Sequence, residues 1–471
     1  MSTARYENIG LSADDIAVLE ADTTARVNLL NKISDYSGSL TPDEFAELYI
    51  LKSTNEKPQY FEQRHNRQPI ARILPIRVIE ILNSTAHSGT WIVQAKESIK
   101  EFVNALHRQT QEQFKFRQAT KFALEFGTHF VGPYWNQRLA QTQLRHLDLR
   151  HVKIRQDPND ADHLVMLATV DVSKLIGGET VKQTTIWNPE QIIIFYDDNL
   201  ISNEQNRMGV IPFVAIRGNL SSTVGDFCGR SIVEPLVRIT NGIHDALGSL
   251  AENIHHHTFP LAVRKSGSNL DQIELGPTSA LNLGPGEDFA WKAPDPFIAE
   301  VKEAIDLLID LGLMISSVPQ AAIRTSVQPR SGKSLAMELM SLSDKVNEFI
   351  TRWAEDRAQL ARLMLLCDEV HKKGRIFTEQ SARETMEKYE ISITPQLDFF
   401  PLSPLERVEL DSEEIAAGLA TWTEKLKARR PTASDKEIGL LQSEIQETGI
   451  IPATPVKRKT QEIDNLIDEE I

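Results

Sequence analysis

Two long amphipathic segments, separated by a short stretch rich in glycine and proline, most constrain the fold of this 471-residue chain. The first segment follows Gly229-Arg230-Ser231, in which the serine can cap a helix. Its apolar residues recur at steps of three and four: Ile232, Leu236, Ile239, Ile243, Leu247, Leu250 and Ile254. The pattern predicts one helix over 231–257, about 40 Å long at ~1.5 Å per residue.

The second segment begins near Ile298 and carries two apolar stripes. One stripe consists of Val301, Ile305, Leu308 and Ile315, and the other of Leu307, Leu311, Met314 and Val318. Because one subunit cannot bury all these stripes, we predict that helices 231–257 and 298–323 pack as a pair and also contact other copies of the chain. The predicted packing positions are Leu236, Ile243, Leu247, Leu250, Ile305 and Leu308.

The stretches that follow these two predicted helices differ from them in composition. Residues 258–297 contain nine glycines and prolines among short apolar runs, which is typical of a small β-rich module with tight turns. Residues 324–332 have the composition of an exposed loop. A helical pattern then resumes at Ser334 and continues to Gly374, which predicts the longest helix of the chain.

The N-terminal half combines helix and sheet. Thr41-Pro42-Asp43-Glu44 is a helix start with a capping box, and Phe114–Phe126 reads as a helix that ends at Gly127. Between Leu144 and Ile216, β-branched and aromatic runs alternate with turn residues, which predicts mainly antiparallel sheet. A strand-like segment at 389–400 precedes a helical tail from Pro404. The expected fold class is therefore α+β, mainly helical.

Composition and motifs disfavour several classes of protein. A net charge of −15 argues against a protein that grips nucleic acid along its whole surface. The two cysteines support neither a disulfide framework nor a zinc site, and no stretch is long and apolar enough to span a membrane or to act as a secretory signal. These features fit folding in a reducing cytoplasm.

No motif predicts an enzyme, a cofactor or a metal site. Arg330-Ser331-Gly332-Lys333-Ser334 ends like a phosphate-binding loop, but Val327 stands where the first glycine is required. His255-His256-His257 point in directions ~100° apart on a helix and cannot all face one ion. Carboxylates distant in sequence can still converge in space, so a metal-dependent nuclease or nucleotide hydrolase stays open as the less favoured alternative.

Several stretches, in their order along the chain, resemble the portal proteins of tailed bacteriophages. Phe122–Thr128 leading to Val131–Trp135 resembles that family's helix-to-strand step, and Ile211-Pro212-Phe213 is similar to its strand before the first channel helix. Phe227–Leu236 (FCGRSIVEPL) is close to the family's F-G-x-S-x-x-E-P-L entrance to that helix, with Cys228 as an insertion. The resemblance covers roughly Tyr60 to Leu402.

The resemblance implies a portal fold with a β-rich wing and a small β-containing clip, long stem helices and a helical C-terminal crown. Its parts would be an N-terminal wing (1–230), stem helix 1 (231–257), the clip (258–297), stem helix 2 (298–323), a tunnel loop (324–332), a long wing helix with a returning wing strand (333–403) and the crown (404–471).

The resemblance also implies a function and a set of partners. The chain would be one of twelve identical subunits, assembled in the host cytoplasm into a ring at one vertex of the capsid of a virion. Double-stranded DNA would be packaged and ejected through the ring without sequence specificity. The terminase large subunit, the major capsid protein and a neck adaptor protein would be its partners. Another head-tail connector ring is the alternative function.

Two sets of residues would face the DNA. An acidic channel wall would oppose sticking of the phosphates, and the tunnel loop would supply weak contacts. The wall residues are Glu234, Asp245, Glu252, Glu300, Glu303, Asp306 and Asp310. The loop residues are Arg324, Thr325, Ser326, Gln328, Arg330, Ser331 and Gly332. The alternative is that the acidic residues are simply solvated helix faces.

Overall fold

The computed structural model describes residues 11–49, 73–176, 179–197, 199–219, 226–257, 261–265, 288–292, 298–322 and 332–396, with isolated positions at 58, 421, 423, 426, 438 and 439. The chain divides into two units, Met1–Leu397 and Asp398–Ile471. All helices and strands named below belong to the first unit. The predicted crown (404–471) lies almost wholly outside the described residues.

The described part is a mixture of helix and sheet, which confirms the α+β class. Its helices are α1 Ala13–Glu20, α2 Thr24–Tyr36, α3 Pro42–Tyr49, α4 Ile73–Ala86, α5 Glu97–Thr110, α6 Glu112–Phe126, α7 Val233–His257, α8 Ile298–Ile315, α9 Gly332–Lys373 and α10 Glu379–Lys388. Its strands are β1 Thr90–Gln94, β2 Thr128–Asn136, β3 Gln141–Leu147, β4 Val152–Asp157, β5 Asp160–Ile176, β6 Glu179–Trp187, β7 Gln191–Tyr196, β8 Asn199–Gln205, β9 Val214–Arg217, β10 Leu261–Lys265, β11 Asp288–Lys292 and β12 Ser392–Gln396.

The strands pair antiparallel throughout the described part. A five-stranded sheet has the order β4-β5-β6-β7-β8, and a three-stranded sheet has the order β3-β2-β9. Two further pairs join β1 with β12 and β10 with β11. The predicted antiparallel region between Leu144 and Ile216 is thereby confirmed, although β8 is a mostly exposed, polar strand that its residues did not predict.

The central part of the five-stranded sheet carries buried apolar side chains on both faces, since successive residues of a strand point to opposite faces. Met166 and Ala168 of β5 pack with Leu19 of α1 on one face. Leu167 between them packs with Trp187 and Phe213 on the other. Helix α1 is held there by its capping box at Ser12 and by an ion pair between Asp15 and Arg155, whose atoms Oδ1 and Nε are 2.6 Å apart.

Helix α9 runs through the centre of the first unit, and Gly374 follows it with a φ of +66°. Its apolar face is buried at Val346, Phe349, Trp353 and Leu360. The indole Nε1 of Trp353 donates to the carbonyl oxygen of Arg217 in β9 at 2.8 Å. The predicted long helix is therefore confirmed, and its apolar face forms the contact between α9 and the three-stranded sheet.

A buried ion pair joins α9 to α6. Arg357 donates from Nε to Glu112 Oε1 at 2.7 Å and from a terminal nitrogen to Oε2 at 2.5 Å. The guanidinium lies over the rings of Trp91 and Phe116 at 5.2 and 5.3 Å from their centroids. Burial alone would raise the pKa of Glu112, but the facing guanidinium and His107 hold it below its usual value.

Two boundaries differ from the sequence predictions. The second long helix was predicted over 298–323, but α8 ends at Ile315 because Ser317 adopts a left-handed φ of +57°. Ser317 N donates to Met314 O and Val318 N donates to Leu313 O, the two hydrogen bonds of a Schellman motif, and Pro319 follows. Val318 is therefore buried beyond the helix rather than part of its second stripe.

The second boundary lies at the start of α9. Gly332, predicted as the last residue of the loop 324–332, is the first residue of this helix. The remaining loop residues, Arg324, Thr325, Ser326, Gln328, Arg330 and Ser331, lie outside the described residues. Helix α10, which follows Gly374, was not predicted; its capping box at Thr378 and Ser381 was the available signal.

Candidate functional site

The paired helices α7 and α8 are the candidate site, and α7 is anchored at its first turn. Ser231 caps the helix: its Oγ accepts from Val233 N at 3.0 Å and from Glu234 N at 3.3 Å. The same hydroxyl donates to the carbonyl oxygen of Glu125 at the end of α6, and Ile232 N donates to Leu124 O at 3.0 Å. The serine predicted as a cap therefore also ties α7 to α6.

Three glycines form a backbone contact beside this cap, which we call the glycine junction: Gly127, Gly218 and Gly229. Gly218 N donates to Gly127 O at 2.8 Å, and Gly229 N donates to Thr128 Oγ1 at 2.8 Å. A Cβ on Gly127 would lie 2.2 Å from Gly229 O, and Gly127 has a φ of +88°. The junction explains physically why glycines stand before β2 and before α7.

Helices α7 and α8 pack against each other and against α4. Leu236, Ile243 and Ile305 are buried, whereas Leu247, Leu250 and Leu308 are half-buried. A Cβ on Gly242 would lie 3.3 Å from Leu308 Cδ1, so the glycine lets the two helices approach closely. The structure thus brings the predicted packing residues together on one pair of helices, with α7 and α8 in contact.

The other side of α7 is covered by the N-terminal helices. The hydroxyl of Tyr36 in α2 donates to Asn241 Oδ1, and the rings of Phe45 and His244 lie 5.5 Å apart. Burial raises the pKa of Tyr36 to about 12, so this phenol stays neutral at physiological pH. Helix α7 is therefore enclosed by its own chain on two sides.

Helix α8 differs because its second apolar stripe faces solvent. Leu307 and Met314 are 70% and 75% exposed, and Leu311 is 43% exposed. Ile315, predicted for the packed stripe, is 48% exposed as well. Since isolated exposed apolar side chains are ordinary but an exposed stripe along a helix is not, this stripe is a candidate surface for another copy of the chain.

The predicted acidic wall residues are divided between solvent and partial burial. Glu234, Asp245, Glu300 and Glu303 are exposed, whereas Asp306 and Asp310 are half-buried. Asp310 Oδ1 accepts a hydrogen bond from the Gln320 side chain, so it also holds the turn after α8. The side chain of Glu252 lies outside the described part of the chain.

Of the predicted clip (258–297), the structure describes only β10 and β11, which form an antiparallel pair from Leu261↔Lys292 to Lys265↔Asp288. This pair lies in the chain between α7 and α8. Its presence confirms strands in the predicted β-rich module. The second apolar run used for that prediction, Ala280–Leu283, lies outside the described residues.

Residues with metal-binding or thiol chemistry occur both beside this site and away from it: Cys228 precedes Gly229 of the glycine junction, and His244 lies on α7. Within the described part of the chain, no group of three or more His, Cys, Asp or Glu residues is placed to hold a metal ion. Cys228 and Cys367 are free, and burial raises the pKa of Cys367 to about 11. His129 Nε2 and His146 Nδ1 are 2.9 Å apart, and burial lowers the pKa of His129 to about 3 and that of His146 to about 4.

None of the helices among the described residues is both long and apolar enough to cross a membrane.

No family model and no curated protein matches the chain. Solved structures do resemble it. One is a chain in the virion of a native gene transfer agent (GTA) particle, at 13% identity and a TM-score of 0.45, covering 81% of this chain and 96% of that one.

Two others come from necks of such particles. The neck of an empty GTA particle, computed with C6 symmetry, matches at 13% identity and a TM-score of 0.42, covering 79% of this chain and 93% of the other. The neck of a native GTA particle, computed with C12 symmetry, matches at 13% identity and a TM-score of 0.41, covering 86% and 98%. With TM-scores below 0.5, these partial likenesses carry no conclusion about function.

Proposed function

We propose that the chain is a portal protein of a tailed bacteriophage or a related particle. In this proposal, identical copies form a ring at one capsid vertex, and double-stranded DNA is packaged and ejected through its centre. The observation that carries the proposal is the exposed apolar stripe of α8, formed by Leu307, Leu311 and Met314. Apolar stripes of this kind are buried when copies of a subunit assemble side by side.

The order of elements supports the same proposal. The glycine junction places α7 at the end of the β-rich part, α8 packs along α7, and β10 and β11 lie between them in the chain. The motif Phe227–Leu236, which resembles the entrance to the family's first channel helix, contains the cap Ser231 and contributes Gly229 to the glycine junction. The residues that carry the resemblance thus perform a definite structural task.

The charge of the paired helices fits transport rather than tight binding. The segment 231–257 has one arginine and three carboxylates, and 298–318 has one lysine and four carboxylates, so each is acidic. Repeated around a ring, exposed residues such as Glu300 and Glu303 repel phosphates, although salt screens this effect over ~8–10 Å. DNA therefore moves past the wall without being held by it.

The partners follow from the same proposal. The β10–β11 module would dock the terminase large subunit during packaging and the neck adaptor protein afterwards, and the major capsid protein would surround the ring. The loop 324–332 would contact DNA through Arg324 and Arg330, which carry weak, movable phosphate contacts. Twelve copies would complete the ring. The chain itself would catalyse no reaction.

Electron microscopy of the purified full-length chain tests the proposal. Rings with a central channel are expected, together with elution as a large assembly on a sizing column. Monomers that cleave DNA in the presence of a divalent cation would refute the proposal and favour a nuclease. Closed rings that neither bind the terminase large subunit nor stimulate its ATPase would favour another head-tail connector.

A pair of variants tests the observation that carries the proposal. Leu307→Asp places a charge on the stripe, and we expect it to abolish rings. Leu175→Asp is the matched control: this leucine is 75% exposed, against 70% for Leu307, but lies on β5 of the five-stranded sheet. We expect normal rings from the control, and normal rings from Leu307→Asp would contradict the role of α8.

A further inference from the structure

A cleft of about 590 Å³ is lined mainly by α9, α10, β9 and the start of β5, and none of its lining residues belongs to α7 or α8. Its lining combines apolar and charged side chains, and the apolar ones include Leu164, Ile211, Phe213, Leu363 and Met386. A volume of this size accommodates a small molecule or a few residues of a peptide. No residue of this cleft takes part in the proposed channel or its subunit contacts.

Charged side chains at the rim of the cleft are mostly paired with each other. Arg217 lies 2.7 Å from Asp162, Arg383 lies 2.5 Å from Glu379, and Arg362 lies 2.7 Å from Glu355, as measured from guanidinium nitrogen to carboxylate oxygen. Each arginine that lines the cleft therefore already has a carboxylate partner. An anionic ligand would have to break these pairs.

Asp356 is the exception. It lines the cleft from α9, and its Oδ2 is buried without a hydrogen-bond partner among the described residues. Burial raises the pKa of Asp356 to about 7, although Arg217 and Arg352 act in the opposite direction. Buried polar atoms are nearly always paired, so an unpaired carboxylate oxygen beside a cleft indicates a partner that comes from outside the chain.

We propose that this cleft binds a cationic group on an apolar stem, namely the side chain of an arginine or lysine in a partner protein segment. The guanidinium or ammonium group would pair with Asp356, and the stem would lie against Ile211, Phe213 and Met386. Glu387, which also lines the cleft and has no ion pair among the described residues, adds to the negative potential. The proposal goes beyond the ring and does not depend on it.

The shape of the cleft supports the combination of charge and stem. Long cationic side chains bury their methylene groups against apolar surface while the charged head reaches a polar partner. A cleft whose lining contains both the Asp356 carboxylate and apolar side chains offers that arrangement. Arginine suits it because its guanidinium makes charge-assisted hydrogen bonds with a carboxylate, which are stronger than those between neutral groups.

Calorimetric titration of the full-length chain with N-butylguanidinium tests the site, with hexanoate as the anionic control. We expect saturable binding of N-butylguanidinium and none of hexanoate. Asp356→Asn, which keeps the shape of the side chain, should weaken binding about tenfold or more. Asp344→Asn removes the same charge from an exposed position of α9 and should leave the affinity unchanged.

Short peptides identify the source of the cation. Acetyl-Leu-Arg-Leu-amide should bind about tenfold more tightly than N-butylguanidinium if the natural occupant is a protein segment, and its citrulline counterpart should not bind. Equal affinity of the peptide and N-butylguanidinium would point to a free organic cation with the same chemistry. Unchanged binding of N-butylguanidinium in Asp356→Asn would overturn the proposal. It would also be overturned if neither N-butylguanidinium nor the arginine peptide binds, or if the chain binds hexanoate more tightly than N-butylguanidinium.

Discussion

Two neighbouring charged residues on helix α9 lie in contrasting environments on two sides of the helix. Arg357 faces α6, where Glu112 pairs with it through two hydrogen bonds and two aromatic rings enclose it. Asp356, the preceding residue, faces the cleft and has one oxygen that is buried without a partner in the described part of the chain. Consecutive residues on a helix point about 100° apart, so one step along the chain separates the two environments.

The difference distinguishes charges that stabilise the chain from charges that are available to a ligand. A buried ion pair with complete hydrogen bonding holds two parts of the chain together. Removal of either partner leaves the other charge buried without a counter-charge in a medium of low dielectric constant. A carboxylate without a partner costs folding free energy until a ligand supplies one. The same contrast holds between α7, enclosed by its own chain, and the outer stripe of α8.

The largest effect is expected on the α6 side of α9. Arg357→Met should lower the free energy of unfolding by about 3–5 kcal/mol, because Glu112 then stays buried without its counter-charge. Denaturant titration measures the loss. The double variant Glu112→Leu, Arg357→Met should recover most of it, since neither charge remains; a double variant as unstable as the single one would contradict this explanation.

The glycine junction is expected to show the next largest effect. Gly127→Ala introduces a side chain at a φ of +88° and places its Cβ 2.2 Å from Gly229 O. We expect a loss of about 2–3 kcal/mol in the free energy of unfolding. Gly374→Ala is the matched control: its φ is +66°, but no atom lies within 4 Å of the added Cβ. The control should lose about 1 kcal/mol, and equal losses would show that the backbone contact is unimportant.

Asp356→Asn should act in the opposite direction, with a sign that depends on pH. The folded chain holds the proton of Asp356 up to about pH 7, whereas the unfolded chain releases it near the ordinary aspartate pKa of 3.8. Ionisation of this carboxyl therefore lowers the free energy of unfolding as the pH rises from about 4 to 7. The full loss of stability is reached above pH 7. The amide does not titrate.

The shift of the Asp356 pKa from 3.8 to about 7 corresponds to about 4 kcal/mol without solvent screening. Because the residue is only half-buried, we expect screening to reduce the gain of Asp356→Asn to about 1–2 kcal/mol at pH 8, and the gain is near zero at pH 4. Denaturant midpoints at the two pH values measure it. An asparagine variant that is less stable at pH 8 would mean that the carboxylate has a stabilising partner in the folded chain.

The sequence predicted those parts of the fold whose signal is local. The steps of three and four in 231–257, the cap at Ser231 and the break at Gly127 all correspond to observed features. The end of α8 was placed too late because the apolar pattern continues to Val318, while the left-handed turn at Ser317 precedes it. Pro319 was the local signal for that turn.

The parts that the sequence did not predict depend on contacts between distant residues. Glu112 and Arg357 are 245 positions apart, and nothing in either segment indicates a pair. Asp356 has the same appearance in the sequence as any acidic residue on a helix. Its character comes from the fold, which places it in a cleft with residues of β5, β9 and α10 that are distant in sequence.

The smallest effect on the stability of the separate chain is expected on the outer stripe of α8. Met314 is 75% exposed, so Met314→Lys should change the free energy of unfolding of a single chain by less than about 0.5 kcal/mol. If copies assemble through this stripe, the natural chain unfolds at a midpoint that rises with protein concentration, because association stabilises only the folded state. Met314→Lys should remove that dependence while the midpoint at the lowest concentration stays the same. Denaturation series over about a hundredfold range of concentration measure both quantities together. A midpoint independent of concentration in the natural chain, or the same dependence in Met314→Lys, would mean that the stripe is not an assembly surface.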